Sequence, residues 1–186
     1  MNPKRLISCL LLLCLSVLLL SACQKSPADA AERILSELSK GNKETYGLLF
    51  DSDSVTLSEQ ELFVLSRMTW ECAETSRTDD THAKVTVHLH TIDMMALLNE
   101  ALVRSLNGED KTFDSERWML LQLNTGAAAK GDFEAFMPLV LDHEVWKLDP
   151  DGAEDDLDSL RDAVSGGAYS WYHIYRETFG GENPSK

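Results

Sequence analysis

This 186-residue chain holds several sets of side chains with the makings of a metal site, a nucleophile or a general base. His88 and His90 stand two apart, on one side if the segment is a strand, and Glu71 is expected opposite. Two imidazoles and a carboxylate are a donor set for zinc. The H-x-H spacing is common, however, and His82 and Lys84 share that side, so the row reads as the solvated face of a sheet and no metal is assigned. Asp149, Asp151, Glu154, Asp155, Asp156 and Asp158 could attract calcium. Their order lacks the D-x-D-x-D-G run of a calcium loop, and a solvated, acidic helix start is the simpler reading. Cys72 could be a nucleophile, but it alternates with Trp70 toward the apolar side, where a thiol keeps its proton. Asp93 could be a general base; its place just before a helix makes it a cap. Trp171, Tyr172 and Tyr175 could stack on a sugar or peptide, and their helical spacing reads as a docking stripe. No Ser-His-Asp set, phosphate loop or paired carboxylate stands out, so no catalytic residue and no cofactor is assigned. That leaves Cys23, which closes the string Leu20-Ser21-Ala22-Cys23.

The elements that must position these groups follow from periodicity. Ala31, Ile34, Leu35 and Leu38 mark one helical face, with Gly41 as its stop. Asn42 caps a second short helix carrying Tyr46, Leu49 and Phe50, which ends at Asp51-Ser52-Asp53. Ser58 and Glu61 form a capping box for a third helix, with Leu62 and Leu65 turned inward. The period then becomes two. Trp70 and Cys72 alternate with Glu71 and Ala73. After Thr78-Asp79-Asp80-Thr81, residues Ala83, Val85, Val87 and Leu89 share one face and His82, Lys84, Thr86, His88 and His90 the other. A four-residue loop sets Arg77 against His82, Cys72 against Val87, Trp70 against Leu89 and Glu71 against His88. Met94, Leu97, Leu98, Ala101 and Leu102 face inward from the next helix, with Gly108 past its end and a loop over 107–111. A helix is predicted over 113–123, a small-residue break over 126–131, and strands over 136–141 and 145–148. Pro138 places the first of those strands at an edge or bulge. Leu157, Leu160 and Val164 mark a late helix ended by Gly166-Gly167. A last helix carries Ala168, Trp171, Tyr172, Tyr175 and Phe179.

The N-terminus has the parts of an export signal: Lys4 and Arg5, an apolar run from Leu6 to Leu20, then small residues before Cys23. About 15 apolar residues would reach roughly 22 Å as a helix, short of a ~30 Å hydrocarbon core. Leu20-Ser21-Ala22-Cys23 resembles the lipobox of bacterial lipoproteins. That resemblance implies cleavage before Cys23 and diacylglycerol on its thiol. It also implies a lipidated tether at 23–27, a signal peptide at 1–22, and attachment at the outer face of the cytoplasmic membrane, or at the outer membrane in a Gram-negative cell. Of the four cysteines, Cys9 and Cys14 leave with the signal and Cys23 is lipidated, so Cys72 has no partner for an intramolecular disulfide. Loss of Lys4 and Arg5 takes the net charge from −14 to −16. Such a body is repelled by nucleic acid and by anionic lipid surfaces.

Helices followed by an antiparallel sheet with helix inserted resemble the nuclear transport factor 2-like domains. More narrowly, the chain resembles small uncharacterised Gram-positive lipoproteins with such a domain. The helices between Ala31 and Phe50 around Gly41 carry the likeness, together with Ala83-Lys84-Val85-Thr86-Val87, Thr91-Ile92-Asp93 and Val145-Trp146-Lys147-Leu148. The resemblance implies an α+β fold: N-terminal helices packed on a curved, cone-shaped antiparallel sheet, with a C-terminal helix, as one domain over 28–180 and a tail over 181–186. The expected role is a non-catalytic module that binds a small ligand or an envelope protein. The competing expectation is an isomerase or hydrolase working in the cavity of the cone.

Overall fold

The computed structural model describes residues 26–52, 56–107 and 113–170. They form an α+β fold in which helices pack on a four-stranded antiparallel sheet. The chain begins with α1, Pro27–Ser39. Ser26 caps it: its hydroxyl accepts the Asp29 N–H at 3.1 Å, and the Asp29 carboxylate accepts the Ser26 N–H at 2.9 Å. Ala31, Ile34, Leu35 and Leu38 are buried at helical spacing, as the sequence predicts, and Ala30 is buried with them. Helix α2, Lys43–Phe50, is capped by Asn42, and α3, Glu59–Ser66, by the Ser58–Glu61 box. Leu65 is buried, but Leu62 is 40% exposed and Val64 takes the inward position. Leu62 instead lies over the turn at Gly41, where φ is +70° and a Cβ would strike its side chain.

Strands β1, Thr69–Arg77, and β2, His82–Ile92, form the hairpin. Trp70 pairs with Leu89, Glu71 with His88 and Cys72 with Val87, the register read from the sequence. Nearer the turn the register slips: Arg77 faces Ala83, not His82, because a bulge intervenes between Cys72 and Thr75. Strand β3, Lys130–Asp142, begins six residues before the predicted start and pairs with β2 along its length. The break predicted over 126–131 therefore ends early. Pro138 does not sit on an edge strand, because β3 lies between β2 and β4 (Val145–Leu148). Its carbonyl points away from β2 and accepts the Asp149 N–H at 3.0 Å, just past the end of β4. The missing proline N–H thus takes no bond from the β2–β3 ladder.

The apolar side of the sheet is filled. Val85, Val87, Ala135, Met137 and Leu139 are 0% exposed beneath Leu35 and Leu38 of α1 and Leu160 of α6, Glu154–Val164. Each such leucine contributes about 1.5–3 kcal/mol through burial. A second, smaller core gathers Val64 of α3, Ile92 of β2, Leu97 of α4 (Met94–Asn107) and Leu123 of α5 (Ser115–Thr125). Leu102 does not face it. Leu102 is 53% exposed because α4 turns only Leu97 and Ala101 fully inward. Gly166 ends α6 with φ +66°, and its carbonyl accepts the N–H groups of Met94 and Met95 at 2.9 and 3.2 Å, tying the end of α6 to the start of α4. Among the described residues no helix is long and apolar enough to cross a membrane. Cys23 with the apolar run before it, Asp53, Gly108, Trp171, Tyr172, Tyr175 and Phe179 lie outside the described residues, as does the tail over 181–186.

Candidate functional site

The polar side of the sheet carries the imidazoles. Because side chains alternate along a strand, His88 and His90 project together from β2, and the neighbouring strands bring carboxylates beside them. Glu71 of β1 and Glu134 of β3 flank His88, and Asp132 of β3 pairs with His90. His90 Nδ1 lies 2.7 Å from Asp132 Oδ1, and with the carboxylate ionised the ring nitrogen is the donor. His88 Nδ1 stands 3.7 Å from Glu134 Oε2, an ion-pair distance and not a hydrogen bond. Together with Thr69 these groups line a shallow concavity of about 470 Å³. The Asp132 side chain is 90% exposed and that of His88 49%, so water solvates the row. Among the described residues no three His, Cys, Asp or Glu side chains converge on a position that could hold a metal ion. The row is an exposed polar face of the sheet, with His88 and His90 each beside a carboxylate of β3.

The other candidates resolve by their neighbours. Cys72 is half-buried and packs against the main core. Burial, with Glu32 beside it, pushes its thiol up to about 12, so it stays protonated and unreactive at neutral pH. Glu32 is occupied in turn by the Trp70 Nε1–H, at 2.6 Å. Asp93 is a cap: its Oδ1 accepts the Ala96 N–H at 2.7 Å. The acidic run is shared among structural duties. Asp149 accepts the Asp151 N–H at 3.1 Å, Asp156 meets Lys84 at 3.3 Å, and Asp158 meets Arg161 at 2.7 Å.

A second concavity of about 150 Å³ was not foreseen. It is apolar and lies between α2 and α3, lined by Tyr46, Phe50, Val64 and Leu65, with Met94 and Ala168. Tyr46 stacks on Phe50 with ring centres 4.3 Å apart, and its hydroxyl donates to Glu61 Oε1 at 3.3 Å. Burial first, and Glu61 second, hold that hydroxyl above the ordinary tyrosine range. The sequence pairs Glu71 with His88 but does not reveal Asp132 and Glu134, since it starts β3 too late. The alternation of Asp132 and Glu134 with Phe133 and Ala135 was the signal that could have found them. Comparison of the chain with protein-family models, with curated proteins and with solved structures finds no match.

Proposed function

We propose that the protein is a lipid-anchored, extracytoplasmic bacterial lipoprotein whose α+β domain is a non-catalytic binding module. The anchor half rests on Leu20-Ser21-Ala22-Cys23 at the end of the apolar run. A single acyl chain binds membranes only marginally, whereas a diacylglyceryl thioether supplies two chains, each buried methylene contributing about 0.8 kcal/mol. The N-cap of α1 at Ser26 leaves only Gln24 and Lys25 between Cys23 and the folded domain, so the domain sits at the membrane surface. The cone-shaped reading of the sheet belongs to the same proposal, supported by helices that precede and cover an antiparallel sheet.

The observation that carries the non-catalytic half is the packed apolar side of the sheet. An enzyme of the competing class needs a hollow there, holding a titratable group whose environment shifts its pKa. That space holds Leu35, Leu38, Met137, Leu139 and Leu160 instead, and the polar groups stand on the open opposite face. One observation favours the enzyme reading: Tyr46, with its perturbed hydroxyl and its bond to Glu61, borders the apolar groove. The test is fractionation of cells expressing the protein and Cys23→Ser. The reading expects the parent in the membrane fraction and the variant either released or retained as a larger, uncut precursor. Normally processed Cys23→Ser protein in the membrane fraction refutes the anchor. Turnover of a small carbonyl or ester substrate that Tyr46→Phe abolishes would replace the binding role with the enzymatic one.

A further inference from the structure

The apolar groove between α2 and α3 opens where the described chain ends. Ala168 forms part of its wall, beside Tyr46, Phe50, Val64, Leu65 and Met94. The chain is held firmly at that point. Ser165 Oγ accepts the Tyr169 N–H at 3.0 Å, Asp162 Oδ1 accepts the Ser170 N–H at 2.9 Å, and the Tyr169 ring meets Phe50 edge-on at 5.9 Å. Residues 168–170 already have helical backbone. At a spacing of 3.6 residues the positions sharing the side of Ala168 are three, four, seven and eleven further on. Those positions are Trp171, Tyr172, Tyr175 and Phe179. The sequence beyond Ser170 therefore carries an apolar stripe in helical phase with Ala168, which lines the groove.

We propose that this groove is the seat of the chain's own segment 171–179, whose aromatic stripe covers it. The physical case is one of concentration. A segment tethered at Ser170 meets the groove at roughly millimolar effective concentration, so a free ligand of similar affinity competes only at a comparable concentration. Aromatic side chains contribute large contact area at small entropy cost, and Phe50 and Tyr46 offer ring faces and edges to meet them. The proposal identifies the groove as a self-covered interface and leaves the open histidine face for partners. It holds whether or not Cys23 carries lipid.

The test uses the chain from residue 23 with Cys23→Ser, which keeps it in solution, and a truncation ending at Ser170. The truncation retains the Tyr169 and Ser170 backbone bonds that fix the end of the fold. Hydroxyl-radical footprinting reads the labelling of Met94, Phe50 and Tyr46. A full-length double variant, Tyr172→Ser with Tyr175→Ser, covers the case in which the truncation fails to fold. Labelling of Met94 and Phe50 should rise roughly threefold or more in either altered chain, and a peptide of residues 168–186 added at roughly millimolar concentration should lower it again in the truncation. Equal labelling in all three chains overturns the proposal. So does labelling that falls only as protein concentration rises, which would give the groove to a second copy.

Discussion

Gly166 and Gly126 have nearly the same backbone conformation, φ +66° and +71°, in very different surroundings. A Cβ on Gly126 meets nothing within 4 Å. A Cβ on Gly166 would fall on the Ile92 carbonyl oxygen, with the Met94 backbone nitrogen 3.2 Å away. Both obstacles are backbone and cannot rotate aside. Gly126→Ala therefore pays the left-handed conformation, about 1–2 kcal/mol, less about 0.4–1 kcal/mol from a stiffer unfolded chain, for a net loss near 1 kcal/mol. Gly166→Ala incurs the same loss and must also push α6 away from the start of α4. That strains the two bonds from Met94 and Met95, at about 1 kcal/mol each, and adds an overpacking cost of about 1–3 kcal/mol. The expected total is about 4–6 kcal/mol, a large share of the 5–15 kcal/mol typical of a domain. Urea unfolding followed by circular dichroism measures both variants; the midpoints should separate while the slopes stay equal. Equal losses in the two variants, within about 0.5 kcal/mol, would refute the claim that this junction is a rigid backbone contact.

Three further perturbations have expected outcomes. Thr91 is 1% exposed and its hydroxyl has no hydrogen-bond partner among the described residues, so Thr91→Val should stabilise the protein by about 1 kcal/mol, raising the melting temperature by about 2–4 °C in a calorimeter. His143 and Glu144 both have positive φ, 49° and 65°, in the two-residue turn between β3 and β4, a turn that favours Asn-Gly. The double change His143→Asn with Glu144→Gly should add about 0.5–1 kcal/mol in the same urea assay. Asp79 is held down to about 2, first by the Thr81 N–H and then by the His82 side chain and the Thr81 hydroxyl. Its folded value lies below its unfolded one, so its stabilisation is full above the unfolded pKa and is lost as pH falls through the folded one. The stability gap between the parent and Asp79→Asn should thus be present at about pH 5 and close between about 4 and 2. A gap unchanged at pH 2 would contradict it.

Much of the fold was legible because hydrophobic periodicity and caps agree. The α1 face, the Ser58–Glu61 box and the Trp70–Leu89 and Glu71–His88 pairings need only local rules. The bulge was hidden because Glu74, Thr75, Ser76 and Arg77 are all polar and exposed, so no buried face fixes their count. The start of β3 was hidden by Gly131 and the small residues before it, and Asp132 and Glu134 of the candidate face were lost with it. Leu62 and Leu102 were misassigned because helical spacing says which residues share a side, while the size of each core decides how wide a side is buried. The apolar groove was invisible for another reason: α2, α3 and the end of α6 meet there from distant parts of the sequence.

Attachment through Cys23 can be read from the intact mass of the protein purified from membranes. The expected product is a chain that begins at Cys23 and carries a diacylglyceryl group on that residue's thiol. A chain with an unmodified thiol at Cys23, recovered from the soluble fraction, would contradict it.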